Sequence, residues 1–139
     1  MENFAGLHQF GDIGLIALRI VVAAIFAVHG THKWAMWKIR PSEQMPAGML
    51  GMLKFLSIVE PLGAVAVFAG FLTQLAAAGL GIIMLGAIGL KVKVMKEPFT
   101  DSKNHKVGWE YDLIILAAAL ALFFFGAGRF SLDQYLFGI

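Results

Sequence analysis

The sequence predicts an all-α membrane protein, an antiparallel bundle of four transmembrane helices with a short interfacial helix at the C-terminus. Of its 139 residues 59% are hydrophobic and 14% are charged, whereas ordinary soluble domains carry about 25% charged residues. The mean hydropathy is +0.78. Four apolar runs of roughly membrane-spanning length lie at about residues 13–33, 53–70, 73–92 and 109–126. We therefore expect a single transmembrane domain over residues 1–139.

The first span, residues 13–33, contains an arginine among apolar residues. A charge at membrane depth costs roughly 3 kcal/mol, so Arg19 must face protein, water or a counter-charge. At 100° per residue, a stripe within about an 80° arc of one helix face consists of Arg19, Phe26, His29 and Lys33. Glu60 is the only acidic residue in the interior of another apolar run, so we expect it to pair with Arg19.

The first span ends at a pair of tryptophans, Trp34 and Trp37, flanked by basic residues. Such a pattern is typical of the headgroup level, where an indole keeps its ring in hydrocarbon and its N–H in water. Turn signals then predict a loop over residues 41–51. The second span, residues 53–70, has Pro61 in its middle, which predicts a kink. Gly70 is a candidate C-cap, and residues 70–73 are too few for anything but a tight hairpin.

The third span, residues 73–92, is uncharged up to Lys91 and rich in small residues, which indicates close packing. Thr73 is its candidate N-cap. A lysine-rich connection leads to the fourth span, residues 109–126, where acidic residues at the start suit a helix N-terminus. Ser131 and Gln134 have the spacing of a capping box and predict an interfacial helix over residues 132–137.

The distribution of basic residues predicts the orientation. The two long loops carry most of the lysines, whereas the termini offer only Arg129 outside the spans. By the positive-inside rule, the long loops are cytoplasmic and both termini are external in a multi-pass protein of the cell (cytoplasmic or inner) membrane. The net charge of +2 indicates membrane orientation and no nucleic-acid partner.

Several kinds of chemistry are excluded or disfavoured. Without cysteine there is no disulfide, thiolate metal site or dithiol relay. A b-type haem is disfavoured because it needs two histidines at similar depth, and only His29 lies near a span interior; His105 would have to fold back from its loop. His29 and His32 lack a convincing third zinc ligand, so no metal site is predicted.

Two groups of residues could carry chemistry. Arg19 and Glu60 form either a structural ion pair or the polar floor of a ligand cavity near the Pro61 kink. His29 and Glu110 approach the cytoplasmic interface, where a neutral histidine and a carboxylate could share a proton. The structural alternative for His29 is that it caps its helix against the loop.

These residues resemble the DoxX family of membrane proteins over nearly the whole chain. The resemblance rests on Leu18-Arg19, His29-Gly30-x-x-Lys33, Glu60 with Gly63, Gly70-x-x-Thr73, Trp109-Glu110 and the ending Gly126-x-Gly128-Arg129-x-Ser131-Leu132-Asp133. The chain departs from the family at Ala127, where proline is common, and in its methionine-rich first loop. The resemblance implies a four-helix membrane protein connected with the DoxD subunit of thiosulfate:quinone oxidoreductase and with quinone and oxidative stress, without an established reaction.

The resulting functional hypothesis is a membrane subunit of a quinone-linked or oxidative-stress redox system that binds a quinone or small lipophilic ligand. The candidate catalytic residues are His29, Glu60 and Glu110. The candidate ligand-binding residues are Arg19, Phe26, His29, Lys33, Glu60, Thr73 and Trp109. Expected partners are the lipid bilayer, a quinone and a soluble or membrane redox protein, and a homo-oligomer stays open. The alternatives are a non-catalytic scaffold or assembly subunit and a small transporter.

Overall fold

A computed structural model describes residues 6–100 and 107–139, and this part of the chain is all-helical without strands. The prediction for His105 lies outside the described residues. The α-helices are α1 (Gly11–His32), α2 (Ala47–Ala69), α3 (Thr73–Leu90), α4 (Glu110–Phe125) and α5 (Leu132–Phe137). A 3₁₀ helix, Gly6–Phe10, precedes α1, and a second, Lys33–Lys38, extends it; a π-helical turn, Lys91–Met95, extends α3.

Three helical segments within the described residues are long and apolar enough to cross a membrane. They are Gly11–Lys38 with 28 residues, Ala47–Ala69 with 23 and Thr73–Met95 with 23. Helix α4 has 16 residues, or about 24 Å at 1.5 Å per residue, against a hydrocarbon thickness of about 30 Å. Three of the four predicted spans therefore have the required length, and the fourth stays a prediction.

The predicted loop over residues 41–51 is too long, because α2 begins at Ala47. Pro46 precedes the helix with extended backbone angles, φ −57° and ψ 151°. Its ring cannot donate a hydrogen bond, and this position needs none. Gly48 and Gly51 are helical, since turn-forming residues alone do not end a helix that continues into an apolar span.

The α2–α3 connection is the tight hairpin that the sequence predicts. Gly70 adopts a left-handed conformation at φ 67°, and the N–H groups of Gly70 and Phe71 donate to the carbonyls of Val67 and Ala66. This is the Schellman arrangement that ends a helix at a glycine. Thr73 is the first residue of α3 and not its cap, which is Leu72.

Pro61 lies inside α2, which continues from Ala47 to Ala69. A Cβ on Gly30 would lie 2.3 Å from Pro61 Cδ, so only glycine lets α1 approach the proline ring. Further along, Arg19 of α1 contacts Val67 of α2, and Lys33 contacts Glu60. Of these two contacts, the one that comes later along α1 and its extension therefore comes earlier along α2.

The core lies between the four long helices. Its largest fully buried apolar side chains are Phe26, Leu80, Leu122, Val22 and Val67. The predicted close packing of α3 is confirmed at Ala77, which is 1% exposed, and at Gly81. A Cβ on Gly81 would lie 3.7 Å from Leu116 Cδ1, which places α4 directly against this glycine.

Candidate functional site

The polar residues predicted as one site lie in two groups at opposite ends of α1. The terminal cluster consists of Asp12, Arg19, Gly70, Thr73, Arg129, Ser131 and Asp133. The loop-side cluster consists of His29, Lys33, Glu60, Lys91, Tyr111 and Asp112. Fourteen residues separate Arg19 from Lys33 on α1, or about 21 Å at 1.5 Å per residue.

The predicted ion pair between Arg19 and Glu60 is wrong. The guanidinium of Arg19, which is 5% exposed, donates instead to four backbone carbonyls: Val67 at 2.9 Å, Phe68 at 2.6 Å, Ala127 at 3.1 Å and Phe130 at 2.8 Å. The carbonyls at the end of a helix have no partner within it, and an arginine presents five donors in a fixed fork. Arg19 thus donates hydrogen bonds to backbone carbonyls of both α2 and the segment after α4.

Gly70 gives this guanidinium its space. A Cβ at Gly70 would lie 2.7 Å from Arg19 Nη2 and 2.5 Å from Ser131 Cβ. The negative charge of Asp133, in the segment after α4, also acts on this guanidinium. The buried guanidinium is therefore satisfied by backbone carbonyls of α2 and the C-terminal segment and not by Glu60.

Asp133 also supplies the cap of α3. Its carboxylate, in a residue 7% exposed, accepts from the N–H groups of Leu72 at 2.6 Å and Thr73 at 2.9 Å. An acidic side chain at a helix N-terminus satisfies free N–H groups and favours the helix dipole. The Thr73 side chain is fully buried, and its hydroxyl has no hydrogen-bond partner within the described residues.

The rest of the terminal cluster fixes the chain ends to each other. Asp12 accepts from the backbone N–H of Arg129 at 2.9 Å and pairs with its guanidinium. The capping box predicted at Ser131 is confirmed, because its hydroxyl accepts from the N–H of Gln134 at 3.2 Å. The terminal cluster is therefore a structural junction, and the structure does not bring Arg19 or Thr73 to His29.

The loop-side cluster begins with a buried ion pair. Glu60 is 2% exposed, and its Oε2 lies 2.5 Å from Lys33 Nζ. The same ammonium lies 3.3 Å from the carbonyl oxygen of His29. Lys33 follows His29 by one turn, so the α1 stripe predicted from the helical period does bring these residues to Glu60.

His29 lies in the last turn of α1 and faces α4. Its ring centroid is 6.2 Å from that of Tyr111, at an interplanar angle of 39°. The charges of Lys33, Glu60 and Asp112 all act on this imidazole. Asp112 is 5% exposed, and its Oδ2 lies 2.8 Å from Lys91 Nζ, at the end of α3.

Glu110 forms no hydrogen bond with His29 in the described structure. Its N–H donates to the carbonyl of Phe99 at 3.1 Å, and its buried Oε2 has no hydrogen-bond partner within the described residues. Trp109 packs edge-on against Phe99, with centroids 4.6 Å apart. The predicted proton-sharing pair of His29 and Glu110 is therefore not formed.

Phe26 occupies the core, where it is 0% exposed and packs within the buried hydrophobic cluster. It lies one turn before His29 on α1, at the apolar end of the loop-side cluster. Its complete burial makes Phe26 a core residue and not part of an exposed ligand-binding surface.

Sequence reasoning missed three members of the loop-side cluster: Lys91, Tyr111 and Asp112. From the sequence, Asp112 belongs to the acidic start of the fourth span, which suits a helix N-terminus, and Lys91 begins the lysine-rich connection. A signal was present, because Asp112 lies on the same α4 face as Ile115, Leu116 and Ala119, all buried. Nothing in the sequence marked Tyr111 as the neighbour of His29.

The loop-side cluster can hold and move protons. An imidazole and a carboxylate can each accept a proton, and a phenol and an imidazole can both donate hydrogen bonds. His29 lies five residues before Trp34, or about 8 Å below the expected headgroup level. A ligand with a polar head and an apolar tail would place its head at this depth.

Comparisons with known proteins agree with a membrane protein of this kind. The sequence model of the DoxX family matches residues 14–94, more than half of the chain. A protein of Bacillus subtilis (strain 168) named "Putative oxidoreductase CatD" is 29% identical over 135 residues, covering 94% of this chain and 92% of that protein. No solved structure matches the chain.

Proposed function

The chain belongs to the DoxX family of integral membrane proteins, and on this premise we propose that it is the membrane subunit of a quinone-linked redox system. In this proposal the loop-side cluster binds the polar head of a quinone or similar lipophilic molecule. The observation that carries it is the convergence of His29, Tyr111 and the buried Lys33–Glu60 pair, about 8 Å below the expected headgroup level. The name of the Bacillus relative supports the oxidoreductase class.

The donors present fit such a ligand. A quinone head offers two carbonyl oxygens as acceptors, and reducing it to the quinol takes up two electrons and two protons. His29 and Tyr111 supply a donating imidazole and phenol. His29 and Glu60 hold and pass protons, while Lys33 balances the buried carboxylate.

The electrons come from a redox partner, either a soluble or a membrane protein. Electron transfer requires a bound cofactor or a partner, and the chain has no cysteine to form a dithiol relay. The chain's own contribution is therefore to bind, orient and protonate. Glu110 and Trp109 border the same α4 terminus and complete the proposed ligand-binding wall.

We further propose that α1 to α4 form an antiparallel four-helix bundle with both termini external and both long loops cytoplasmic. The reversed order of α1–α2 contacts supports this arrangement for the first pair. The basic residues of the loops support the orientation. Helix α4, the shortest, would span with its acidic start near the cytoplasmic surface.

The test measures binding of a short-chain, water-soluble quinone to the purified protein in detergent. Quenching of tryptophan fluorescence reports the binding. We expect His29→Ala to weaken binding at least tenfold, because the variant loses a donor at the ligand head. The matched control is His32→Ala, one turn further along α1 and exposed to solvent. Its affinity should equal that of the original protein.

Equal affinities of the His29 and His32 variants would overturn the proposal. The scaffold alternative has an observation of its own, because Gly79 and Gly86 leave open space on the exposed face of α3. If neither variant affects binding and Gly86→Leu prevents recovery of a partner membrane protein, the scaffold function is supported. The transporter alternative predicts that the protein carries a solute across the membrane of vesicles in the absence of quinone. The same variants are compared in that assay.

A further inference from the structure

We propose that the crevice between α1 and α2 holds one anionic glycerophospholipid. The end of one acyl chain reaches an apolar groove on the outer side of the two helices, and the phosphate lies beside Lys54 near the first loop. This site uses the face of α1 opposite to His29 and is independent of the proposed quinone site.

The apolar part of the site is a groove of about 290 Å³ between α1 and α2. Ala24 and Ala27 form its floor on α1, and Ala64, Val65 and Phe68 form the wall on α2. The side chains of Val65 and Phe68 are 67% and 61% exposed. In a membrane this groove is filled by an apolar chain, since the alanines leave a depression between larger neighbours.

Beyond the groove, towards the first loop, the same face of each helix carries the residues that lead to the membrane surface. Thr31 lies seven residues after Ala24 on α1, Trp34 follows in the 3₁₀ helix that extends α1, and Ser57 lies seven residues before Ala64 on α2. Seven residues are close to two turns, so these positions share the groove face. The path from the groove therefore leads to Trp34 and Ser57.

A fixed aromatic frame stands at the end of this path. The indole N–H groups of Trp34 and Trp37 donate to the carbonyl and hydroxyl oxygens of Ser57, both at 2.9 Å. The ammonium of Lys54 lies 5.5 Å from the centroid of the Trp37 ring. Both indoles are bonded to protein, so the frame holds its shape at the headgroup level and places Lys54 beside it.

Within the described residues, the first loop and the start of α2 hold three unpaired bases against one unpaired acid, Glu43. In residues 6–100 and 107–139, Lys33 and Lys91 are paired with carboxylates, whereas Lys38, Arg40 and Lys54 form no ion pair. A phosphodiester is the anion that a membrane offers at this depth. A net negative headgroup fits best, because the cationic group of a zwitterionic lipid would lie close to Lys54 and be repelled by it.

The lengths agree with one lipid molecule. Eleven residues separate Lys54 from Val65 on α2, or about 16 Å, and one leaflet contributes about half of a 30 Å hydrocarbon core. A phosphate at Lys54 therefore lets the end of an acyl chain, about 15 Å away, reach the near edge of the groove at Ala64. A quinone tail would fit the groove equally well but would leave the bases without an anion.

The experiment is native mass spectrometry of the full chain in detergent with phosphatidylglycerol or phosphatidylcholine of identical acyl chains. We expect one phosphatidylglycerol per chain, bound at least tenfold more tightly than phosphatidylcholine. Lys54→Gln should remove most of this preference. Ala24→Phe, which fills the groove at an exposed position, should weaken both lipids.

Two matched controls separate a site from general lipid contact. Lys93→Gln removes an unpaired base from the other loop, and Ala117→Phe enlarges an exposed alanine on α4; neither should change lipid binding. Equal affinity for the two lipids, or equal effects of test and control variants, would overturn the proposal. So would a dimer that Ala24→Phe dissociates, since a second copy would then occupy the groove.

Discussion

At the scale of single residues, the two ionised groups expected to meet each other have separate partners. The sequence offered one acidic residue in a span interior and one arginine, and elimination paired them. The guanidinium is instead satisfied by helix-end carbonyls, which carry no mark in a sequence. Lys33, interpreted as an interfacial residue of the stripe, neutralises Glu60. Backbone acceptors thus compete with side-chain partners for a buried arginine.

The Lys33–Glu60 pair gives a prediction at this scale. Lys33→Met leaves the carboxylate of Glu60, which is 2% exposed, buried without a counter-charge, and we expect it to lower the free energy of unfolding by about 3 kcal/mol. The double variant Lys33→Met with Glu60→Gln should recover at least half of that loss. The measurement is denaturant unfolding in mixed micelles.

Lys38→Met is the control, because Lys38 is exposed and forms no ion pair within the described residues. Its unfolding free energy should stay within about 0.5 kcal/mol of the original. If Lys33→Met is equally mild, the ion pair does not stabilise the protein, and the buried charge must be relieved in another way.

At the scale of elements, close approach of two helices depends on a glycine facing a proline. The sequence indicated that Pro61 disturbs α2, and its main consequence in the structure lies on the neighbouring helix at Gly30. The ring that removes one backbone donor also presents a flat apolar surface. Only a residue without a side chain can approach that surface closely. This explains why a glycine stands at position 30, next to His29 at the polar end of α1.

Gly30→Ala should therefore separate α1 from α2. Its Cβ would lie 2.3 Å from Pro61 Cδ, a contact that the rigid ring cannot relieve, so we expect a loss of about 2 kcal/mol in the free energy of unfolding. The control is Gly14→Ala on the same helix, where a Cβ would meet nothing within 4 Å. That change should stabilise the helix by about 0.5 to 1 kcal/mol.

Thermal unfolding in detergent measures both changes, and opposite shifts of Tm are the expected result. A Gly30→Ala protein as stable as the original would mean that the two helices do not pack through this contact. Because Gly30 follows His29 directly, we also expect the Gly30 variant to weaken quinone binding, while Gly14→Ala leaves it unchanged.

At the scale of the whole molecule, the polar residues act as two units held apart by an apolar core. The terminal cluster joins α1, the α2–α3 hairpin and the C-terminal segment. The loop-side cluster joins α1, α2, the end of α3 and α4. Phe26 lies between them in the core. The first unit is structural, and the second is where we place the ligand.

This division predicts that Arg19 and Glu60 are not coupled. We expect the unfolding free-energy changes of Arg19→Gln and Glu60→Gln to add within about 0.5 kcal/mol in the double variant, because the residues share no partner. The Lys33 and Glu60 changes, measured in the same micelles, should deviate from additivity by more than 1 kcal/mol. Strong coupling between Arg19 and Glu60 would contradict this division and would mean that the two residues belong to one site.

The sequence alone determined the helical membrane class, the hairpin at Gly70, the capping box at Ser131 and the family. These depend on composition, local period and residues adjacent in the chain, so a linear pattern contains them. The stripe on α1 also followed from helical period, and it correctly brought Lys33 and His29 to one face.

Only the tertiary structure decided which polar groups meet. Arg19 is satisfied by carbonyls from residues as far away as Phe130, α3 is capped by Asp133 from the end of the chain, and His29 faces Tyr111 on α4. Each contact depends on how helices pack in space and on their relative rotation. Residue identity states what a side chain can bind, but packing selects which of several equally suitable partners lies within reach.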